Sequence, residues 1–495
     1  MKKYIGGRVV RAIISIFIVT IIAMTMIYTL IPRKLIFKTD PNYQKVASKV
    51  DDRVRYMNNA YEQLGYITFA EQSDMCKAYA KDNYDACMEV GSSYAKEIAE
   101  EHYSDYTVET YKKSGLIYAT KDKPIGAIVL NFFKNMIYVD HPWRVNDSSN
   151  PDLERKIYWG TDYNGLPALM GSGTEHKYLI YFDSSFPFIH QNILSLHLGE
   201  SYPSYAYMDI INVISQGQGS EKATMQHFET GVDSTSAVIQ HSCRYKSTKN
   251  LDKLDKNKFL DNYADCNTKK KDPSMIGTSM IFGLCGLIIA YLIAVPAGLL
   301  MASHRGKAAD HIGTIWINFM IAVPSLAFIF FGRQIFYLIG FPMSFPTYGA
   351  QDYRSYVPAA IILGLLNTGS LMLWTRRYML DQSSADYVKF ARSKGLTQNE
   401  IFRKHILRNA IIPMVHDLPA NIILTITGAV LTETVFAIPG TGKLLPDAIT
   451  EHNNSMIVAL TALYTSLSII SVLLGDILMT LIDPRIKLTD DGGTN

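Results

Sequence analysis

The chain has 495 residues, is 48% hydrophobic and 19% charged, and carries a formal net charge of +3. That charge is too small to argue for a nucleic-acid partner. A mean hydropathy near zero in so apolar a chain implies that hydrophobic and polar residues are segregated.

In chain order, six apolar runs are long enough to cross a bilayer, which takes roughly 20 helical residues. They are approximately Val9–Ile31, Ile276–Ala302, Ile312–Tyr337, Val357–Thr375, Ile411–Thr432 and Met456–Ile482. The first is longer than a signal-peptide core and no small-x-small cleavage site follows it, so it reads as an uncleaved anchor. Basic clusters at Lys2/Lys3/Arg8/Arg11, His304–Lys307, Arg376–Arg408 and Arg485/Lys487 fall on one side if six helices alternate. By the positive-inside rule both termini are then cytoplasmic, and the polar stretch from about Pro32 to Lys271 lies outside.

That stretch, rich in Tyr, Lys, Asp and Ser, is large enough for a core of its own. Its first part, Tyr43–Tyr111, reads as helical, with Val46/Val50/Val54 and Met57/Tyr61/Leu64 at helical spacing. Its middle reads as more β-like, at Tyr178–Phe182 and Thr235–Ile239. Four of the five cysteines lie here: Cys76, Cys87, Cys243 and Cys266. In an oxidising compartment an even number suggests disulfides, and four cysteines allow three pairings. Pairing Cys76 with Cys87 and Cys243 with Cys266 assumes least; four reduced thiols is the alternative. Cys285, in the second apolar run, reads as a small packing residue. The histidines of the stretch (His102, His141, His176, His190, His197, His227, His241) show no metal-ligand spacing and read as surface or loop residues. No metal site or cofactor is expected, and Gly171-Ser172-Gly173 is not a nucleophile elbow.

Within the apolar runs, polar residues are the pointers to a translocation pathway. Asn367, beside Thr368 and Ser370, is the mid-membrane candidate, with Arg333 and Asn421 as further candidates; His416, Asp417 and Asp476 lie nearer helix ends. Pro296 and Pro324 are expected to kink their helices.

The loop from Asp386 to Pro413 carries the most information. Asp381–Ser384 can cap a short helix. On it Tyr387, Phe390, Ala391 and Lys394 share a face by helical spacing, with Lys389 adjacent, and small Ala391 allows close approach of a partner. Gly395 ends the helix in a left-handed turn. Thr397 and Glu400 form a capping box for a basic second helix, Glu400–Asn409, leading to Pro413. Further on, Glu433-Thr-Val-Phe precedes Pro439-Gly440-Thr-Gly442-Lys443, where Pro439, Gly440 and Gly442 break the fifth helix. This is no phosphate loop, because Ala437 and Leu444 stand where that motif needs Gly and Ser/Thr.

The Ala391-x3-Gly395 loop with Pro413 resembles the coupling loop of ABC-importer permeases, although Lys389 and Phe390 replace the first two residues of the family's Glu-Ala-Ala triplet. The Glu433–Gly442 segment, His197-Leu-Gly199-Glu-Ser201-Tyr202, Asp483-Pro484-Arg485, Tyr28–Phe37 and Gly217-Gln-Gly219 narrow the likeness. The chain resembles the B-type permease subunit of oligopeptide ABC importers, of the Gram-positive Ami type with an enlarged extracellular domain. The resemblance implies a mainly α membrane protein of the cell membrane. It would have six transmembrane helices of the ABC-importer permease fold and an α+β extracellular domain inserted between helices 1 and 2. The boundaries are 1–31 for the N-terminal segment and first helix and 32–274 for the extracellular domain. The permease core follows at 275–482, with coupling loop 381–410, and 483–495 is a cytoplasmic tail. The implied partners are a second permease subunit, two cytosolic ABC ATPases that hydrolyse the ATP, a lipid-anchored extracellular peptide-binding protein and a peptide substrate. Alternatives are a permease for dipeptides, nickel or another small solute, or a non-transporting ABC-type regulator acting through its ectodomain.

Overall fold

The computed structural model describes residues 2–182, 188–216, 224–236, 241–266, 274–349, 352–425 and 429–482. Gly217-Gln-Gly219, Ile239, Asn267–Lys271, the Asp483-Pro484-Arg485 ending and Lys487 lie outside them, as do the side chains of Lys2 and Lys3. The long helices are α1 (Lys2–Leu30), α2 (Val50–Gln63), α3 (Gln72–Tyr79), α4 (Ser93–His102), α5 (Ile125–Met136), α6 (Met275–Ser303), α7 (Ala308–Ala322), α8 (Ser325–Leu338) and α9 (Val357–Ser383). They are followed by α10 (Asp386–Ser393), α11 (Gln398–Ile401), α12 (Leu407–Leu424), α13 (Val430–Phe436), α14 (Thr441–Thr450) and α15 (Asn454–Ile482).

Among the described residues, four helices are apolar and long enough to cross a membrane: α1 from Gly6, α6, α9 with the turn before it, and α15. The expected third span is broken instead. Helices α7 and α8 meet at Pro324 with a 106° bend and together make a possible fifth. Helix α12 is 18 residues long, but Arg408, Asn409, His416, Asp417 and Asn421 leave it less apolar than the others. Helices α6 and α9 form the tightest pair. A Cβ on Gly364 would sit 2.9 Å from the Gly286 carbonyl, and one on Gly298 2.7 Å from Thr375 Cβ. Missing side chains let two backbones approach where dispersion drives packing.

The region between α1 and α6 contains two cores. The first joins α2 to the antiparallel sheet β1 (Ile67–Glu71), β3 (Ile117–Asp122) and β2 (Thr107–Thr110), in the order β1-β3-β2. Phe37, Tyr61, Tyr66, Tyr111, Tyr118 and Tyr202 fill it. The helical reading of Tyr43–Tyr111 therefore needs correction: β1 and β2 interrupt it, with Ile67 and Phe69 of β1 facing the core at a period of two and β2 exposed at the sheet edge. The second core lies against the four-stranded sheet β5 (Lys156–Thr161), β6 (Pro167–Ser172), β7 (Tyr178–Phe182) and β8 (Ile189–Gln191). Three two-stranded ribbons complete the described part of the region. They are β4 (Ile137–Val139) with β9 (Leu194–Leu196), β10 (Thr224–His227) with β11 (Asp233–Ser236), and β12 (Arg244–Tyr245) with β13 (Tyr263–Ala264).

Disulfides join Cys76 to Cys87, in a small buried cluster with Ala95, and Cys243 to Cys266, in the second core. Two histidines depart from the surface reading. His176 and His241 are buried and paired with Asp140 and Asp162 at 3.2 and 2.6 Å. Cys285 departs too: it is exposed on α6 rather than packed inside the bundle.

Candidate functional site

Two regions of the bundle carry the residues singled out above. The first is the α9–α12 loop. Helix α9 runs on to Ser383, so Asp381 and Ser384 do not cap α10; Ser384 Oγ donates back to the Asp381 carbonyl at 2.8 Å. Gly395 adopts φ +80°, which terminates α10, and Leu396 N–H closes the turn on the Ala391 carbonyl at 3.3 Å. The capping box forms: Thr397 N–H donates to Glu400 Oε2 at 3.0 Å and Thr397 Oγ1 accepts from Glu400 N–H at 3.4 Å. The Thr397 hydroxyl and backbone N–H hold the Glu400 carboxyl below its usual pKa. The second helix is not uniform. It starts as α11, widens into a π turn at Phe402–Ile406 and continues as α12 through Pro413. Such turns concentrate where a helix must re-aim its side chains.

The shared face expected of α10 is split. Val388 and Ala391 point inward and are 1% and 4% exposed, against Met379, Ile401, Ile406 and Ala410, with Leu299 and Ala302 of α6 nearby. Tyr387 is half-buried on that side and donates to Gln382 Oε1 at 2.9 Å. Phe390 is 62% exposed and points out, with the Lys394 ammonium 4.6 Å from its ring centroid. Lys389 is exposed and pairs with Asp386 at 2.9 Å. Ala391 is thus a packing residue of this chain, because the start of α12 folds back over it. The surface open to another protein is the Phe390–Lys394 side.

The second region is the break at Glu433. Helix α12 ends at Leu424 and α13 begins at Val430, so the interruption starts upstream of Pro439 rather than at it. Glu433 is fully buried. Its carboxylate accepts from Ser279 Oγ at 2.8 Å, Ala429 N–H at 3.1 Å and Lys443 N–H at 2.9 Å. The last donor is in the first turn of α14, where unsatisfied N–H groups and the helix dipole favour an anion. A Cβ on Gly440 would lie 2.4 Å from Ser279 Oγ and 2.5 Å from Glu433 Cδ, so only glycine fits there. Ser279 Oγ also accepts from Thr441 N–H at 2.9 Å, and Tyr464 donates to the Thr441 carbonyl at 2.6 Å. Helix α14 is therefore fixed to α6, α13 and α15. Gly442 lies buried in the first turn of α14, and Pro439 precedes its cap.

Asn367, Arg333 and Asn421 do not converge. Asn367 is exposed and bonds back to the Leu363 carbonyl at 2.9 Å. Asn421 donates to Tyr291 OH at 3.1 Å. Arg333 donates to the Val435 carbonyl at 2.7 Å, and its buried Nε has no hydrogen-bond partner among the described residues.

Reading the sequence missed three connections. Asp310 and Arg376 form a two-point ion pair between α7 and α9, at 2.6 and 2.9 Å. An Asp in a first turn and an Arg near a helix end were visible, but their meeting was not. Arg8, His416 and Asp476 link α1, α12 and α15, with His416 Nε2 3.5 Å from Asp476 Oδ1. Asn453, in the α14–α15 turn, donates to Ser201 Oγ and Ser204 Oγ at 2.8 and 3.0 Å, and Asn454 donates to Tyr66 OH at 3.3 Å. The region between α1 and α6 is thereby fastened to that turn.

A bundle of long apolar helices, broken near one end and carrying a folded surface loop at the other, is the form of a multi-pass membrane permease. Residues 294–488 match the family described as binding-protein-dependent transport system inner membrane component. The oligopeptide transport system permease protein AmiC of Streptococcus pneumoniae is 45% identical, over all of this chain and all of its own length. The dipeptide transport system permease protein DppB of Lactococcus lactis is 31% identical, over 42% of this chain and 69% of its own. The oligopeptide transport system permease protein AppB of Bacillus subtilis is 29% identical over the same shares. The chain belongs to the oligopeptide permease family of ABC importers.

Proposed function

We infer that this chain is the transmembrane permease subunit of an ATP-driven oligopeptide importer, lining the channel together with a second permease subunit. The observation that carries the coupling role is the division of α10: its inner face is locked to the ends of α6 and α9, while Phe390 and Lys394 stand outward. A force applied to the outer face is transmitted to those helices without a slack joint. Two cytosolic ABC ATPases supply that force by hydrolysing ATP, and a lipid-anchored extracellular binding protein delivers peptide.

In this reading six segments cross the membrane, with α7–α8 as one broken span and α12–α13 as another. Both termini are cytoplasmic, 32–274 is extracellular, 275–482 is the permease core and 483–495 is a tail. The Glu433–Gly442 break forms part of the outer rim. Its fixation by Ser279 and Tyr464 supports a rim of set shape, and the Asn453 and Asn454 contacts support an ectodomain that moves with α14 and α15. Arg333 lies beside the rim helix α13 and is the pathway candidate with an unused donor. The test is uptake of a labelled oligopeptide by cells lacking this chain, with and without a rescuing copy. Uptake restored by the wild type and not by Phe390→Asp at equal membrane abundance is expected. Unchanged uptake without the chain would overturn the reading.

A further inference from the structure

The β4–β9 ribbon presents an aliphatic face that none of the described residues covers. Ile137 pairs with Leu196 and Val139 with Leu194 across the two strands. Directly opposed residues share a face, and so do alternate residues of one strand. All four side chains therefore stand on the same side, and each is roughly half-exposed. The other face is occupied. Tyr138 is half-buried there, bonded to Glu175, with the Arg144 guanidinium 3.8 Å from its ring centroid. A two-stranded edge of this composition in water would be an aggregation site.

The chain leading into the ribbon shows what covers it. Helix α5 ends at Met136, directly before β4. It is an apolar helix of 12 residues, too short to span, and none of its residues is fully buried. Apolar helices of that length that are not core helices are interfacial or re-entrant. Phe133 packs on Phe17 of α1, with ring centroids 4.6 Å apart. Phe17 is 13 residues from Leu30, about 20 Å down the axis at 1.5 Å per residue, well inside a hydrocarbon layer about 30 Å thick. Met136 packs with Ile27 in the cluster below the ectodomain. Helix α5 thus lies against a span whose own surface is almost entirely uncovered. The ribbon continues from its C-terminal end, beside that cluster, and Leu130 of the helix also points outward. Trp143, four residues past β4, is exposed as well, and Trp is the residue type that favours the headgroup layer.

We propose that α5 and the β4–β9 ribbon are seated in the lipid of the leaflet facing the ectodomain, with Ile137, Val139, Leu194 and Leu196 in contact with acyl chains. They form a monotopic anchor that fixes the height of the ectodomain over the channel. The proposal rests on the reading that α1 crosses the bilayer, and the experiment separates the two. In a Cys285→Ser background, single cysteines at Ile137, Leu194, Ile18 and Lys81 are labelled with the environment-sensitive fluorophore NBD. Each full chain is reconstituted in phosphatidylcholine vesicles with and without 6,7-dibromo acyl chains. Ile18, on the exposed side of α1, is the membrane control; Lys81, on the ectodomain surface, is the aqueous control. Blue-shifted emission and at least twofold quenching by brominated lipid are expected at Ile18, Ile137 and Leu194, with neither at Lys81. Quenching at Ile18 but not at Ile137 or Leu194 would overturn the proposal and leave the permease reading intact. No quenching at Ile18 would overturn the membrane reading of α1 itself. Blue-shifted emission at the ribbon that bromines do not quench would mean a protein partner covers it, and that too overturns the proposal.

Discussion

Ser279 donates its hydroxyl hydrogen to Glu433 across 154 residues of sequence, at 2.8 Å, and joins the second turn of α6 to the helix break. The contact explains why glycine stands at 440, since any side chain there would displace one of the two. Gly440→Ala is expected to destabilise the protein by about 1–3 kcal/mol, the usual range for overpacking. Glu433→Ala should cost a similar amount by leaving the Ser279 hydroxyl and two N–H groups without an acceptor. Thermal unfolding in detergent measures both. Wild-type stability in Gly440→Ala would show that the helix break is loosely packed.

The ion pair between Asp310 and Arg376 makes a second prediction. The Asp310 side chain is almost wholly buried, at the start of α7. Arg376→Met leaves its carboxylate unpaired and should cost about 3–5 kcal/mol, the range for breaking a buried pair from one side. Adding Asp310→Asn should recover most of that, because no uncompensated charge remains. Equal loss in the single and double variants would mean that Arg376 acts through its packing alone.

Acidification should loosen the core against the β5–β8 sheet. Asp140 is buried, which alone would raise its pKa, but hydrogen bonds from His176 and from the N–H groups of Glu175 and His176 outweigh burial and hold it below the usual range. A depressed folded pKa gives stability that is full above the unfolded value, about 3.9. That stability is lost as pH falls through the lower folded value. Asp140→Asn should therefore be less stable than wild type at pH 7, with the gap narrowing below about pH 4. Near-ultraviolet circular dichroism during heating measures it, and a pH-independent gap would assign the loss to hydrogen-bond geometry instead of charge.

Local signals were legible in the sequence and long-range ones were not. The Thr397–Glu400 box and the turn at Gly395 depend on neighbours within a few residues, and both form as their spacing implies. The strand at Tyr178–Phe182 was equally local. What the spacing of α10 could not supply was direction. Periodicity groups Tyr387, Phe390, Ala391 and Lys394, but only the return of α12 determines that Ala391 is inside and Phe390 outside. In the α7–α8 pair Pro324 marked the place of the break, as a kink, but not its 106° extent, which composition does not register. His176 and His241 looked like loop residues because their aspartates lie 36 and 79 positions away.

The division of α10 yields the last prediction, in which two neighbouring residues fail for different reasons. Ala391→Asp places an unpaired charge among Val388, Met379 and Ile406, and burying such a charge is strongly unfavourable. It should lower membrane abundance and stability. Phe390→Asp alters only an exposed side chain, so stability should stay within about 0.5 kcal/mol of wild type. Transport should nonetheless fall at least tenfold, because the aromatic surface offered to the ATPase is gone. Phe390→Leu, which keeps an apolar side chain, should retain most activity. Abundance by quantitative blotting, thermal stability and peptide uptake, measured side by side, separate the two. A Phe390→Asp protein that transports normally would end the assignment of this face to coupling, and a stable Ala391→Asp protein that does not transport would move the contact to the inner face.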